Sequence, residues 1–475
     1  MTARHTRRRA PWLHGWLLLS TLASIACGSK ARDETRSPPD LPELAAVENE
    51  SDDPTKLEVS IEARVGEKSY VAGKSTPVWT YNGSVPGPLL DLPVGAELSV
   101  HFTNRLPEET TIHWHGVRLP AVMDGTPRMQ EPVQPDGSFE YQFVAKDPGL
   151  FWFHPHVRSD EQVEKGLYGV IRVTGPDEPG SDQETILVLD DVTVSPDGTL
   201  PTYLDDESKM LGRQGKTLLV NGVSSPVMRW RAGSLQRFRI VNVANGRFFN
   251  LALPGYRWLV IGTDGGFVPE PYETQTLLIS PGERYDVMLV VQGAAGDRVT
   301  LMNEPYERGH DTGEAEPMPV ADFVVSDDPA LTKRKLPTSF PAIERLEGGA
   351  IDHQLVLDEG LRKGELVFTI NDATFPDVPL IDIPFGAVRR FEIKNDSKMD
   401  HPFHLHGTFF QELALNGVAT DTTRLANKDT IIVPQMSSLD LVARFDEPGG
   451  WMYHCHILEH AEGGMMGEID VAESE

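Results

Sequence analysis

Cysteine is almost missing from this sequence of 475 residues, and its scarcity limits how the chain can be held together. The two cysteines are Cys27, which follows an N-terminal apolar run, and Cys455, which lies among histidines near the C-terminus. Cys27 is expected to be processed or lipidated, so Cys455 has no partner. The mature protein should therefore contain no structural disulfide, even in an oxidising compartment.

Positive charge is also scarce. The chain has 43 Lys and Arg against 71 Asp and Glu, which gives a formal net charge of −28. Such a balance argues against a nucleic-acid partner and favours solubility, but it does not specify a fold. A cationic substrate would be attracted only weakly.

Residues 1–27 contain no acidic side chain and have the pattern of an export signal. Four arginines precede an apolar run that starts at Trp12 and is too short to span a membrane. Residues 24–28 resemble a bacterial lipobox, which predicts lipidation at Cys27. The neighbouring arginines leave twin-arginine export open as an alternative to ordinary secretion. We expect a periplasmic or cell-envelope protein that touches the membrane only through this lipid.

Residues 28–55 lack aromatic side chains almost entirely and are rich in Pro, Glu and Asp. This composition predicts a disordered acidic linker. Whether it serves as a tether or is a terminus without a purpose stays open.

From residue 57 onward, apolar and polar residues alternate as they do in half-buried strands. A turn dipeptide followed by a glycine turn and an alternating strand recurs three times, beginning at Asn82-Gly83, Asn221-Gly222 and Asn371-Asp372. The copies are spaced by about the length of one β-sandwich. The pattern predicts an all-β protein with three domains, at residues 56–178, 179–328 and 329–475.

Ten of the fifteen histidines lie in four short clusters. The clusters are His113-Trp114-His115-Gly116, His154-Pro155-His156, His401-Pro402-Phe403-His404-Leu405-His406-Gly407 and the segment from His454 to His460. A His-x-His pair on a strand places two imidazoles on one face. Four such clusters spread over the chain do not fit an adventitious metal-binding tract.

The last cluster combines a thiolate with imidazoles and a thioether. Cys455, His460 and Met465 are three of the ligands of a trigonal electron-transfer copper site, so one further imidazole must come from elsewhere. On a strand, His454 and His456 point away from Cys455 and would serve a second metal centre. A buried thiol among surface imidazoles is the alternative, but it does not account for so many metal-type ligands in a short segment.

The motifs HWHG, HPH, HPFHLHG and HCHILEH-x4-M resemble, in order, the four copper motifs of three-domain multicopper oxidases of the laccase type. The resemblance covers the chain from about residue 56 to 475. It implies three consecutive cupredoxin-like domains, the first and third carrying copper ligands and the second none. It also implies four coppers: a type 1 ion at His401, Cys455, His460 and Met465; a type 2 ion at His113 and His404; and a type 3 pair at His115, His154, His156, His406, His454 and His456.

The activity that this resemblance implies is one-electron oxidation of a small reductant, coupled to four-electron reduction of dioxygen to water. Phenols and aromatic amines are the expected reductants, and a metallo-oxidase of Cu(I), Fe(II) or Mn(II) is the alternative. The Met-rich insertion of many cuprous oxidases is not evident, since only Met436 and Met452 occur between His406 and Cys455. A non-catalytic scaffold that kept the fold is a remote alternative, because such relatives have lost copper ligands. We expect a monomer.

Two acids are predicted to assist the reaction. Asp124 occupies the place where an acid of bacterial relatives lies near the type 2 copper and assists proton transfer, although Asp-Gly is also a common turn pair. Many bacterial relatives carry a glutamate directly after the last type 1 histidine. Here that residue is Ala461, so either the following Glu462 or water is expected to take its place.

Overall fold

The computed structural model describes residues 38–201, 205–332 and 334–473. The predicted export signal, including Cys27, lies outside these ranges. The described residues form six β-sheets, two in each of three successive segments. The predicted all-β fold of three sandwich domains is therefore confirmed. In the described part of the chain no helix has the length and apolar character needed to cross a membrane.

The first domain pairs a sheet of order β2-β1-β4-β6 with a sheet of order β3-β8-β7-β5. Its elements are β1 Lys56–Lys68, β2 Thr76–Tyr81, β3 Leu89–Pro93, β4 Glu97–Arg105, β5 His113–His115, a 3-10 turn Ala121–Met123, β6 Ser138–Val144, β7 Gly149–His154, α1 Ser159–Glu164 and β8 Gly169–Thr174. Alternate residues of β1 and β4 are buried, which is the pattern of a sandwich wall.

The second domain has sheets of order β10-β9-β12-β17-β14-β15 and β11-β19-β18-β13-β16. Its elements are β9 Gln183–Val192, α2 Asp206–Leu211, β10 Thr217–Val220, β11 Val227–Trp230, β12 Leu235–Asn242, β13 Phe249–Ala252, β14 Trp258–Thr263, β15 Gly266–Thr274, β16 Thr276–Ile279, β17 Arg284–Val290, β18 Arg298–Asn303 and β19 Met318–Val325. It has a hydrophobic core of its own.

The third domain has sheets of order β21-β20-β23-β28-β25-β26 and β22-β30-β29-β24-β27. Its elements are β20 His353–Arg362, β21 Glu365–Ile370, β22 Ile381–Ile383, β23 Ala387–Asn395, β24 His401–Leu405, β25 Phe410–Leu415, β26 Val418–Ala419, a 3-10 turn Thr422–Arg424, β27 Thr430–Val433, β28 Ser437–Phe445, β29 Gly449–Cys455, α3 Leu458–Glu462 and β30 Met466–Val471. One hydrophobic cluster runs through the first and third domains, which brings their motif strands together.

The repeated asparagines make the same hydrogen bonds in all three domains. Asn82, Asn221 and Asn371 each adopt a positive φ, between 50° and 53°. In each case the side-chain oxygen accepts from a backbone N–H of the first strand of the domain, namely that of Glu62, Val188 or Val356. Asparagine tolerates this left-handed conformation and can bond the backbone at once, so it serves as both turn former and strand clamp.

The predicted linker at residues 28–55 differs from the prediction in its second half. From Pro39 onward the chain lies against the domains. Asp40 bridges to Val227 and Ala46 bridges to Leu89. Three apolar side chains, Leu41, Leu44 and Val47, pack on three different hydrophobic clusters. They are three residues apart, as suits an extended chain on a surface. Because the segment is polar on average, its composition did not predict this packing.

Candidate metal centre

Strand pairing brings the histidine motifs together in pairs. In the first domain β5 pairs with β7 so that His113 lies opposite His154. In the third domain β24 pairs with β29 so that His404 lies opposite His454. All ten motif histidines are buried, as are Cys455 and Met465. Imidazoles from two domains therefore meet in a buried interior.

Three groups of imidazoles lie where these strands meet. In each group the ligand nitrogens are within 4.8 Å of one another, and the groups are His113, His115 and His404; His115, His154 and His456; and His156, His406 and His454. The Nε2 atom of His454 lies 3.1 Å from that of His406 and 3.4 Å from that of His156. Such convergence of nitrogens without an interposed carboxylate is the geometry of imidazole-ligated metal sites.

Most of the outward nitrogens of these rings are held by hydrogen bonds, which fixes the nitrogens that point inward. The outward Nδ1 of His456 has no hydrogen-bond partner among the described residues. Backbone carbonyl oxygens at 2.8 to 2.9 Å accept from the Nδ1 atoms of His113, His154, His404 and His454. His115 is turned the other way, because its Nε2 donates to Asp429 and its Nδ1 faces Nε2 of His456 at 3.2 Å. A ring that donates through one nitrogen presents a lone pair on the other.

Three of the inward nitrogens have no hydrogen-bond partner although they are buried. They are the Nε2 atoms of His113, His154 and His404. Burial also lowers the pKa of the histidines around the cavity below its ordinary value, for His115, His154, His404, His406, His454 and His456. Neutral imidazoles with unused lone pairs fit a bound cation, and imidazole suits copper.

A second type of group combines His401, Cys455 and His460. Sγ of Cys455 lies 3.4 Å from Nδ1 of His401 and 3.8 Å from Nδ1 of His460, and the two nitrogens are 3.3 Å apart. Burial raises the pKa of the Cys455 thiol, so the free thiol stays protonated until a metal displaces its proton. Met465 is fully buried, and its N–H donates to the carbonyl of His460. This ligand set fits a trigonal copper site.

The far nitrogens of both imidazoles in this group are also bonded. Nε2 of His401 lies 2.9 Å from the hydroxyl of Ser397. Nε2 of His460 donates to the carbonyl oxygen of Met210 at 3.1 Å, and Phe368 stacks on the His460 ring. Met210 belongs to α2 of the second domain. That domain therefore covers the group even though it supplies none of its side-chain ligands.

The main chain connects the two types of group. Cys455 ends β29, and the residues on either side of it, His454 and His456, each belong to a different three-imidazole group. This is the arrangement expected from the alternation of side chains along a strand. Covalent bonds thus run from the thiolate group to both sides of the imidazole cavity.

Asp124 lies within hydrogen-bonding distance of two of the motif histidines. Its carboxylate oxygens lie 3.2 Å from Nδ1 of His113 and 2.9 Å from Nδ1 of His406. Burial alone would raise the pKa of Asp124, but the two imidazoles outweigh this effect and hold it well below its usual range. The following Gly125 has a φ of +76°, and a Cβ there would lie 1.8 Å from the carbonyl oxygen of Ile112. The turn and the carboxylate position thus depend on each other.

Glu462 lies at the contact between α3 and α1. Its Oε1 accepts from the backbone N–H and the hydroxyl of Ser159, at 2.8 and 2.9 Å. This contact joins α3 to the start of α1 and leaves the side chain exposed. Within the described part of the chain, Glu462 is not in any of the imidazole groups.

Sequence reasoning missed Asp429 and its partner Arg284. Asp429 accepts from Nε2 of His115 at 3.2 Å, and its carbonyl accepts from Nδ1 of His404. Arg284 of the second domain donates two hydrogen bonds of 2.6 Å to the Asp429 carboxylate. In addition, Gly282 approaches His115 and His456 so closely that a Cβ would lie within 3.0 Å of each ring.

Comparison with known proteins agrees with this site. Multicopper oxidase family models match residues 63–178, 183–317 and 351–475. The multicopper oxidase MmcO of Mycobacterium tuberculosis is 31% identical over 441 residues, which cover 84% of each chain. A laccase of Bacillus subtilis is 25% identical, with 91% of this chain and 97% of the laccase covered.

Among solved structures, a multicopper oxidase from Campylobacter jejuni described as a metallo-oxidase superposes with a TM-score of 0.82. It is 28% identical, and the match covers 92% of this chain and 96% of that one. Fold, buried imidazole groups and sequence similarity lead to the same result, and copper is the cofactor that these groups hold. The chain belongs to the multicopper oxidase family, a family of oxidoreductases.

Proposed function

We propose that His401, Cys455, His460 and Met465 hold the type 1 copper, and that the eight other motif histidines hold the remaining three ions. His113 and His404 are assigned to type 2. The type 3 ions are assigned to His115, His154 and His456 and to His156, His406 and His454. The observation that carries this assignment is the convergence of the inward nitrogens, three of which lack any partner.

Bound copper supplies one-electron oxidation at the type 1 site and four-electron reduction of dioxygen to water at the other three ions. The protein holds most of these imidazoles in one orientation through their outward hydrogen bonds, so these ligands need no rearrangement. Cys455 and its two neighbours provide a short covalent connection between the sites. All the ligands are buried, so they have little direct contact with bulk solvent.

The reductant is proposed to give up its electrons at the His460 edge. That edge lies under α2, with the His460 ring fully buried and bonded to the Met210 carbonyl. A bulky aromatic molecule cannot touch the ring in this arrangement. A small metal ion needs only to reach the outer face of α2, whose first turn carries the exposed acids Asp206 and Glu207. Geometry thus favours the metallo-oxidase alternative over the phenol oxidase that the motifs alone predict.

Phenols and aromatic amines stay the second candidate class. The relatives that resemble this chain include the Bacillus subtilis protein named a laccase as well as the Campylobacter jejuni protein described as a metallo-oxidase. A phenol would transfer its electron by the same route as an ion, across α2 and through the Met210 carbonyl and the hydrogen bond to His460. We expect a phenol to react more slowly because the exposed acids Asp206 and Glu207 would attract a metal cation to this face but not a neutral phenol.

The experiment is oxygen uptake by the copper-loaded enzyme with Cu(I), Fe(II), Mn(II), a simple phenol and an aromatic amine, each at several concentrations. We expect kcat/KM for at least one of the ions to exceed that for the organic reductants. The phenol must be assayed without added copper, because free copper would mix the two activities. A higher kcat/KM for the phenol than for every ion would contradict the metal-ion proposal.

Export and lipidation at Cys27 are proposed from the sequence alone. Mass analysis of material extracted from membranes should find a mature N-terminus at Cys27 carrying a lipid. A mature terminus at another residue would leave ordinary secretion and remove the anchor.

A further inference from the structure

Arg308 is a buried arginine beside the type 1 group, at the boundary between the second and third domains. Only 1% of its surface is exposed. One Nη donates to Sδ of Met399 at 3.0 Å, and the other donates to the carbonyl oxygen of Leu211. The guanidinium carbon lies 5.4 Å from the ring centre of Phe248, and Nε has no hydrogen-bond partner.

Arg308 differs from other buried arginines because it has no carboxylate partner. Among the described residues, no Asp or Glu oxygen forms an ion pair with it, whereas Arg237, Arg239 and Arg284 all pair with acids. The neighbouring Asp400 directs its carboxylate to the hydroxyl of Tyr306 and the backbone N–H of Gln435. Buried charges are rarely left without a counter-charge, because desolvation is costly.

The contacts of Arg308 lead directly to both type 1 imidazoles. Met399 lies two residues before His401 in the chain. Leu211 follows Met210, whose carbonyl oxygen accepts from His460. Burial lowers the pKa of Arg308 to about 10, and the neighbouring Cys455 offsets part of that shift. At neutral pH the guanidinium therefore stays charged, and the buried acids Glu459 and Asp400 favour its charged form from a distance.

We propose that Arg308 is a positioning residue that raises the reduction potential of the type 1 copper through its unpaired positive charge. The site gains one electron, and so loses one unit of positive charge, when it is reduced. A fixed cation in a region of low dielectric repels the oxidised form more strongly than the reduced form. This inference rests on the type 1 assignment but not on which reductant the enzyme uses.

The test compares two substitutions that separate charge from hydrogen bonding. Arg308→Lys keeps the charge, while Arg308→Gln keeps an N–H donor for the Leu211 carbonyl and removes the charge. The potential is read from the thiolate-to-copper absorption band during a redox titration with mediators. We expect Arg308→Gln to weaken reduction of the site about tenfold, which is about 59 mV lower for a one-electron couple. We expect Arg308→Lys to shift it by less than half of that amount.

Equal potentials in the Lys and Gln variants, whether lowered or not, would overturn the proposal, because a structural role alone would affect both in the same way. If Arg308→Gln does not load copper, Arg308→Met provides the neutral comparison, since it leaves no buried polar group unpaired. Arg257→Gln removes an exposed arginine of the same domain and should leave the potential unchanged. If the wild-type protein has no thiolate-to-copper band, the type 1 assignment fails instead, which is a separate result.

Discussion

The two kinds of copper site in this protein are built in different ways. The proposed type 1 ligands all come from the third domain: one starts a strand, one ends a strand, one lies in a short helix, and Met465 lies just before β30. The imidazole cavity needs strands from both the first and the third domains. The second domain reaches the type 1 group through the Met210 carbonyl and the cavity through Arg284 and Gly282. One site is thus largely local, and the other exists only in the assembled chain.

The largest expected effect comes from removing the type 1 ligand whose two chain neighbours belong to the imidazole cavity. Cys455→Ser should abolish the thiolate-to-copper absorption and lower oxygen uptake by about three orders of magnitude or more. The imidazole cavity should still bind its copper, because its ligands have their own hydrogen bonds. Copper content and electron paramagnetic resonance of the purified variant check this. A Cys455→Ser protein that remained blue would refute the ligand assignment.

A change at Asp124 should affect the cavity and spare the type 1 site. Asp124→Asn replaces one of the two acceptor oxygens by an N–H group, which cannot accept from His113 or His406. It also removes the predicted proton carrier. We expect reoxidation by dioxygen to slow about a hundredfold, while anaerobic reduction of the type 1 copper stays fast. Stopped-flow traces of the two half-reactions measure both.

The prediction that Asp124 acts only on reoxidation would be contradicted if both half-reactions slowed equally or if neither slowed. Asp124→Glu is the matched variant, since it keeps a carboxylate on a longer side chain. If only the carboxylate matters, it should recover part of the reoxidation rate. If the position of the oxygens matters more, it should resemble Asp124→Asn.

A smaller effect is expected at Gly282, where the backbone lies close to the imidazole cavity. Gly282→Ala introduces a Cβ within 3.0 Å of His115 and His456, at a φ of +85°. Gly95 has the same φ of +85°, but a Cβ there would have no neighbour within 4 Å, so Gly95→Ala measures the backbone strain alone. Each should cost about 1 kcal/mol of stability from strain. Only Gly282→Ala should also lose copper from the cavity, as measured by metal analysis.

The sequence grouped Cys455, His460 and Met465 as proposed type 1 ligands because they are close together in the chain and of unusual types. The sequence placed His401, 54 residues before Cys455, in this group only through the resemblance to the family. It also predicted the three sandwiches, since Asn82, Asn221 and Asn371 repeat the same turn. Asp429 and Arg284 could not be predicted. They become neighbours of His115 only when three domains meet. Arg308 could not be predicted for the same reason, because its lack of a carboxylate partner is visible only in the three-dimensional structure.

Composition misled the prediction where a few residues decide the outcome. The segment from Pro39 to residue 55 is polar on average, yet Leu41, Leu44 and Val47 bind it to the surface of the domains. Chain position, and not composition, led to the expectation that Glu462 or water replaces the glutamate absent at Ala461. In the structure Glu462 of α3 accepts from Ser159 at the start of α1.

The smallest expected effect concerns the joint between α1 and α3 and should leave both copper sites intact. Burial, with Glu462 and Glu459 nearby, raises the pKa of Asp160 to about 8. For an acid whose pKa is raised on folding, the folded state binds the extra proton. The stability that this proton contributes is therefore fully present below 3.8, the pKa of the unfolded chain, and is lost as the pH rises through the folded-state pKa of about 8. The wild-type protein should lose stability across that window.

Asp160→Asn cannot lose this proton, and its side-chain oxygen can still accept from the N–H of Glu161. The variant should match the wild type near pH 4 and melt a few degrees higher near pH 8. Asp372→Asn makes the same chemical change at an exposed acid. It serves as the control and should show no such pH-dependent gain in melting temperature. Thermal melts at several pH values, with copper content held constant, decide the matter. An equal gain for Asp160→Asn at every pH would mean that packing, and not titration of Asp160, limits the stability of this joint.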